Sequence, residues 1–224
     1  MDAPPLREPP EELALVAGPV APAVREEFPD LHLLSLTVDA RTGRSPRGVK
    51  DQLKDLSSRF RGAQAVTMRQ DPIPWAYRVF YRHIGLDPDA QRTPVEEAAV
   101  QRLLHGGFRS RNLLEDALLV SLVETGVPVW ALDADRLEGP LGIRLAAPGD
   151  RLGRDPEAYE LPADRLVVAD DRSPVAVLFG ELGRGHGVGR ETTRMTLFSL
   201  QVGGVPAIHV EEAFWSCLSV LRAG

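Results

Sequence analysis

The chain has 224 residues, with 26 lysines and arginines against 32 aspartates and glutamates, for a formal charge of −6. That length can bury one large core, and the 43% apolar share argues against a disordered chain. The acidic balance argues against a general nucleic-acid binder, whose affinity rests on neutralised phosphates. The lone Cys217 cannot close an internal disulfide, which fits a reducing compartment.

Residues 1–10 are proline-rich and polar, expected as a flexible N-terminus, and carry no secretory signal pattern. No uninterrupted apolar stretch is long enough to cross a bilayer. A cytoplasmic protein without a membrane partner is the expectation. Residues 11–224 read as one domain, with a helical part over about 11–105 and a motif-bearing part over about 106–224.

Residues 11–27 begin with a strand or short helix, and the leucine-rich residues 30–38 form a strand. Ser45 and Pro46 then read as the cap and first position of a basic helix with Val49, Leu53, Leu56 and Phe60 on one face. Arg47, Lys50 and Lys54 belong to its cationic surface, either a solvated face or an RNA-backbone contact. Residues 74–84 form a helix closed by Gly85, with Trp75–Val79 and Phe80–Ile84 as core pairs. Thr93-Pro94-Val95-Glu96 is a capping box, and that helix ends at Gly106 and Gly107. Asn112 caps another that stops at Gly126. Short strands follow at 128–132, 141–147, 165–170, 175–179 and 194–202, then a helix at 210–221. Helices followed by strands, without regular alternation, predict α+β.

The chemistry on offer is sparse. The five histidines lack metal-ligand spacing, so no metal is expected, and no Gly-x-Ser-x-Gly elbow occurs, so a hydrolase of that type has no nucleophile here; no organic cofactor is expected either. Gly180, Gly183, Gly185, Gly187 and Gly189 make a loop able to approach a substrate closely or to wrap an anion. Arg184 and His186 lie within it; Thr192 and Thr193 follow, either positioning an ester or water or starting a strand. Asn112 and Asp116, four apart, share a helix face, where capping and dipole compensation compete with a binding role. Asp133 and Asp135 read as a turn after an apolar strand.

Several runs in fixed order resemble the editing domain (B3/4 domain) of the phenylalanyl-tRNA synthetase β subunit and its free-standing relatives. They are Arg109, Ser110, Asn112 and Asp116; Pro128, Ala131, Asp133 and Asp135; Arg144, Ala146, Gly149 and Asp150; Ala169 and Asp170; and Gly187, Val188, Glu191 and Thr192. Upstream, Gly85, Asp87, Pro88, Arg92, Glu97 and Ala98 resemble the free-standing group. The resemblance implies a B3/4-like α+β fold with helices in the N-terminal half and a mainly antiparallel sheet in the C-terminal half. It implies deacylation of misacylated tRNA, with tRNA as partner and a pocket for an amino-acid-like ligand. Two family positions are altered: Trp130 replaces a strand histidine, and Arg184 replaces the loop glutamate that recognises tyrosine. The substrate amino acid is therefore unassigned, and a non-catalytic module that keeps the pocket for a small ligand, RNA or a protein is the alternative. The implied pocket comprises Asn112, Asp116, Trp130, Asp133, Arg184, His186, Thr192 and Thr193. The RNA contacts expected are Arg47, Lys50, Lys54, Arg109 and Arg111.

Overall fold

The computed structural model describes residues 13–60, 67–154 and 156–224. The expectation for residues 1–10 lies outside them. In chain order the elements are β1 (Val16–Gly18), α1 (Pro22–Glu27), β2 (His32–Asp39) and α2 (Arg47–Arg59). A 3-10 turn (Met68–Gln70), α3 (Pro72–His83), α4 (Pro94–His105) and α5 (Leu113–Thr125) follow. The remainder is β3 (Val129–Asp133), β4 (Gly142–Leu145), β5 (Arg151–Leu152), β6 (Tyr159–Glu160), β7 (Leu166–Ala169), β8 (Pro174–Val177), β9 (Arg194–Gln201) and α6 (Ala207–Leu221).

Local chemistry explains both ends of α4 and α5. At α4 both halves of the Thr93–Glu96 capping box form, and Gly106 closes the helix at φ 71°. At α5 the Asn112 side chain accepts from the Glu115 backbone N–H, and Gly126 closes at φ 75°. The start of α2 differs from expectation: Pro46 is the extended capping residue and Arg47 the first helical one. Ser45 is buried and donates its hydroxyl to Asp116 at 2.5 Å instead of capping the helix. A hydroxyl donating to a buried carboxylate makes a charge-assisted bond, stronger than the neutral contact in which a cap oxygen accepts a helix N–H, and it holds the Ser45 side chain on Asp116.

The main sheet is antiparallel, in the order β1-β2-β9-β3. A second sheet, β4-β7-β8, and the two-residue pair β5-β6 complete the strands among the described residues. The expected division into a helical half and a sheet half is therefore not the arrangement. β1 and β2 come from the first 40 residues, yet β2 pairs along its full length with β9, from His32 opposite Gln201 to Asp39 opposite Arg194. Leu33, fully buried on β2, pairs across the sheet with the buried Leu200 of β9. α5 packs on α6, where the Ser121 hydroxyl donates to the Ala213 carbonyl at 2.7 Å inside the core.

An aromatic hub lies beside the sheet. Phe179 is 5.7 Å from Tyr77, 5.8 Å from Phe80, 5.2 Å from Tyr81 and 5.7 Å from Trp130, ring centre to ring centre. Phe179 adopts φ 55°, a left-handed conformation costly for a large side chain and held here by four ring contacts. The expected Trp75–Val79 core pair does not form: Trp75 is 48% exposed, with the Arg82 guanidinium 5.8 Å above its ring. The helix starts two residues earlier than periodicity suggested, at Pro72, and its buried side carries Tyr77, Phe80 and Tyr81. Cys217 is buried in α6, and desolvation pushes its thiol up to about 12, so it is inert packing.

Candidate functional site

A cavity of about 550 Å³ opens between α4, α5, the start of β3 and the loop joining the two helices. That volume suits a small organic ligand. Its floor is apolar, made by Phe108, Leu118, Leu119, Leu122, Pro128 and Trp130. Polar groups surround this floor: Glu97, Gln101, Arg102 and His105 from α4, and Arg109 and Arg111 from the loop. The floor residues of α5 are only half-buried, so apolar surface is presented to the cavity rather than sealed in the core.

Asp116 anchors the cavity's loop wall. It is 1% exposed and accepts from the Ser45 hydroxyl at 2.5 Å, the Ser110 hydroxyl at 2.6 Å and the Arg111 backbone N–H at 2.8 Å. Asn112 is spent on capping: its Oδ1 accepts from the Glu115 N–H at 2.9 Å and the Thr42 hydroxyl at 3.2 Å, and its Nδ2 donates to Glu115 at 2.7 Å. Ser57 of α2 accepts the Phe108 N–H on its hydroxyl at 2.7 Å and the Arg102 guanidinium on its carbonyl at 2.8 Å. α2 therefore buttresses the cavity from behind.

Of the remaining expected pocket residues, Asp133, His186 and Thr192 gather elsewhere, at the glycine loop. Asp133 accepts from the Thr192 hydroxyl at 2.7 Å and from the Asp135 N–H at 3.1 Å, and its other contact is Arg136 at 3.3 Å. Its backbone N–H donates to the His186 carbonyl at 2.9 Å. His186 is 1% exposed; its Nε2 faces Arg154 Nε at 3.5 Å and its Nδ1 is buried without a protein partner. Burial first, then the Arg154 charge, lowers the His186 pKa and keeps the ring neutral. Arg184 is exposed, 3.9 Å from Glu157, and Thr193 is exposed as well. Glu181 bonds the Tyr159 hydroxyl at the surface.

The loop's anion-wrapping capacity is partly consumed. The backbone N–H groups of Gly180, Gly183, His186 and Gly189 already donate to Val177, Val175, Gly183 and Thr192. The structure thus brings Asp116, Trp130, Arg109 and Arg111 to one cavity, and Asp133, His186 and Thr192 to one buried network. Arg184 and Thr193 join neither.

Of the expected RNA contacts, Arg47 and Lys54 are exposed on α2, both drawn toward Asp51, at 3.6 and 2.8 Å. Lys50 is half-buried. Arg109 and Arg111 are exposed at the cavity mouth, with Arg111 at 3.1 Å from Glu115. Sequence reasoning missed Arg102, Phe108 and the leucines of α5. The one available signal was a polar stripe at helical spacing on α4, namely Glu97, Gln101 and His105, which looks like any solvated helix face.

A sequence profile of the B3/4 domain family matches residues 76–205. The chain belongs to the B3/4 domain family. Over 139 residues it is 38% identical to the phenylalanine–tRNA ligase β subunit of Streptomyces avermitilis, a match covering 62% of this chain and 15% of that protein. It is 39% identical over 111 residues to the corresponding subunit of Xanthomonas oryzae, covering 49% and 14%, and 37% over 123 residues to that of Yersinia pestis, covering 54% and 14%. The chain thus matches only a small part of these relatives' length.

Within this B3/4 chain, several of the motif residues build loops. Arg144 pairs with Asp150 at 2.5 Å, and Asp150 also accepts from the Ala147 N–H at 2.8 Å. Asp170 accepts backbone N–H groups from Glu138, Arg172 and Ser173. Trp130, opposite Phe198 on β9, stacks on that ring at 5.4 Å. Among the described residues, no group of three or more His, Cys, Asp or Glu side chains is arranged to hold a metal, and no helix is long and apolar enough to cross a membrane.

Proposed function

We propose that the protein acts in trans on misacylated tRNA in the cytoplasm, seating the aminoacyl side chain on the apolar floor of the α4–α5 cavity and releasing it by ester hydrolysis. The observation that carries this reading is an apolar cavity of about 550 Å³ beside the exposed Arg109 and Arg111. The floor fits an uncharged side chain, and cations at the mouth fit the phosphates of a tRNA 3′ end. Trp130, where the family carries histidine, gives the floor an aromatic surface and no titratable group. Water attack would rely on positioning and on donors at the mouth rather than on a base in β3.

A second reading is a non-catalytic module that binds a small ligand, RNA or a protein through the same cavity. Two specific observations favour it: Trp130 is locked between Phe198 and Phe179, and Arg184 points into an exposed ion pair. Deacylation measured against a panel of mischarged tRNAs separates the two. Release of at least one amino acid above background supports hydrolysis. Binding of tRNA with no release from any member leaves the binding module; absence of tRNA binding even at low salt removes RNA from both readings.

A further inference from the structure

Resting on that assignment of the cavity, we propose that its ligand carries an oxyanion, a carboxylate or a phosphate, attached to an apolar or planar body, and that Arg102 selects for it. Arg102 is a half-buried side chain of α4 in the cavity wall. Its Nη2 donates to the Ser57 carbonyl at 2.8 Å, which tethers one edge of the guanidinium to α2, while its Nε is buried with no protein partner.

Every carboxylate in the same wall is already engaged. Glu97 holds Arg92 at 3.3 Å and Gln101 at 2.7 Å; Glu115 holds Arg111 and Asn112; Asp116 holds Ser45, Ser110 and the Arg111 N–H. Among the described residues, none of these acids pairs with Arg102. A guanidinium stays charged at any working pH, and a cation beside an apolar floor is costly unless an anion meets it. A neutral carbonyl at one nitrogen compensates only part of that cost. Ser57 also holds the Phe108 N–H, so the residue that orients Arg102 also sets the adjoining floor. The arrangement is pre-oriented for a ligand that brings negative charge to the α4 side and apolar surface to the α5 side.

A carboxylate and a phosphate offer the same chemistry to Arg102, and two probe pairs separate them. N-acetyl-L-phenylalanine is compared with its neutral amide, and adenosine monophosphate with adenosine, by titration calorimetry on the full chain. The wild type is expected to bind the anionic member of at least one pair about tenfold or more tightly than the neutral member, the scale of a hydrogen bond to a charged group. Preference within the first pair assigns a carboxylate, and preference within the second a phosphate. R102M is expected to collapse that ratio toward one while binding of the neutral member persists, and R102K to restore part of it. R102Q, which keeps a donor for the Ser57 carbonyl, replaces R102M if the latter fails to fold. No preference in the wild type, no measurable binding of either anion, or a ratio unchanged by R102M overturns the proposal. The mischarged-tRNA panel run on the same proteins keeps the two claims apart. Deacylation without an anion preference sinks only the role of Arg102, and an anion preference without deacylation sinks only the hydrolase reading.

Discussion

Asp116 shows how a single residue can serve a site without touching chemistry. Its carboxylate receives three donors from two loops that are far apart in sequence, at Ser45 and at Ser110–Arg111. Replacing it with alanine strands the buried Ser45 hydroxyl and two part-buried donors at Ser110 and Arg111, and the expected loss is about 2–4 kcal/mol in urea unfolding, against about 1–3 for D116N. A loss under about 1 kcal/mol for D116A would mean that water replaces the carboxylate freely. Phe179 is the other residue of this kind. F179A removes the centre of four ring contacts and is expected to cost about 3–5 kcal/mol, and because alanine keeps its Cβ the left-handed backbone stays strained. F179G removes that strain, so it is expected to be no less stable than F179A, an order that thermal melts would check.

At the scale of elements, α4 and the loop after it decide what the cavity meets. The Thr93 hydroxyl and Glu96 carboxylate are 2.8 Å apart, and Glu96 also holds the buried Arg78 at 2.5 Å. T93A is expected to cost about 1–2 kcal/mol through the lost cap. E96Q should cost more, because it also uncouples Arg78 from α4; equal losses would limit Glu96 to capping. The cations divide by element too. Those at the cavity mouth lie on the α4–α5 loop, and those of α2 lie behind it. Replacing Arg109 and Arg111 with alanine is expected to weaken tRNA binding and flatten its salt dependence, while replacing Arg47 and Lys54 has the smaller effect, since Asp51 already offsets both. Filter binding across a salt series would read the order, and the reverse order would move the RNA path onto α2.

For the whole molecule, pH sets the balance between folded and unfolded chains, and on the acid side His186 and Asp150 show how. His186 is buried neutral, with its pKa lowered from 6.5 by burial and by Arg154; Arg136 adds to the lowering, while Asp170 and the Gly183 backbone oppose it. The unfolded chain therefore takes up a proton near pH 6.5 that the folded chain accepts only at lower pH. Stability is full above 6.5 and declines as pH falls below it. Asp150, held below its ordinary 3.8 by the Arg144 hydrogen bond, keeps its contribution above 3.8 and loses it only as pH falls further. The expected melting profile falls first below pH 6.5 and again in strong acid, and H186Q removes the first decline. An identical profile in H186Q would assign that decline to other groups.

The sequence by itself determined the family, the capped helices α4 and α5 and most of the strands, because caps, left-handed glycines and strand alternation are local chemistry. Arg109, Ser110, Asn112 and Asp116 were legible as a motif for the same reason. Only the tertiary structure decided that β2 joins β9, that Ser45 serves Asp116 rather than its own helix, and that Asp133, His186 and Thr192 lie in a buried network apart from the cavity. It also decided that Arg102, unremarkable on a polar helix face, lines a cavity and keeps a buried Nε without a partner. Each of these depends on partners tens of residues or more away. Local periodicity carries no information about such partners, and long-range packing alone assigns them.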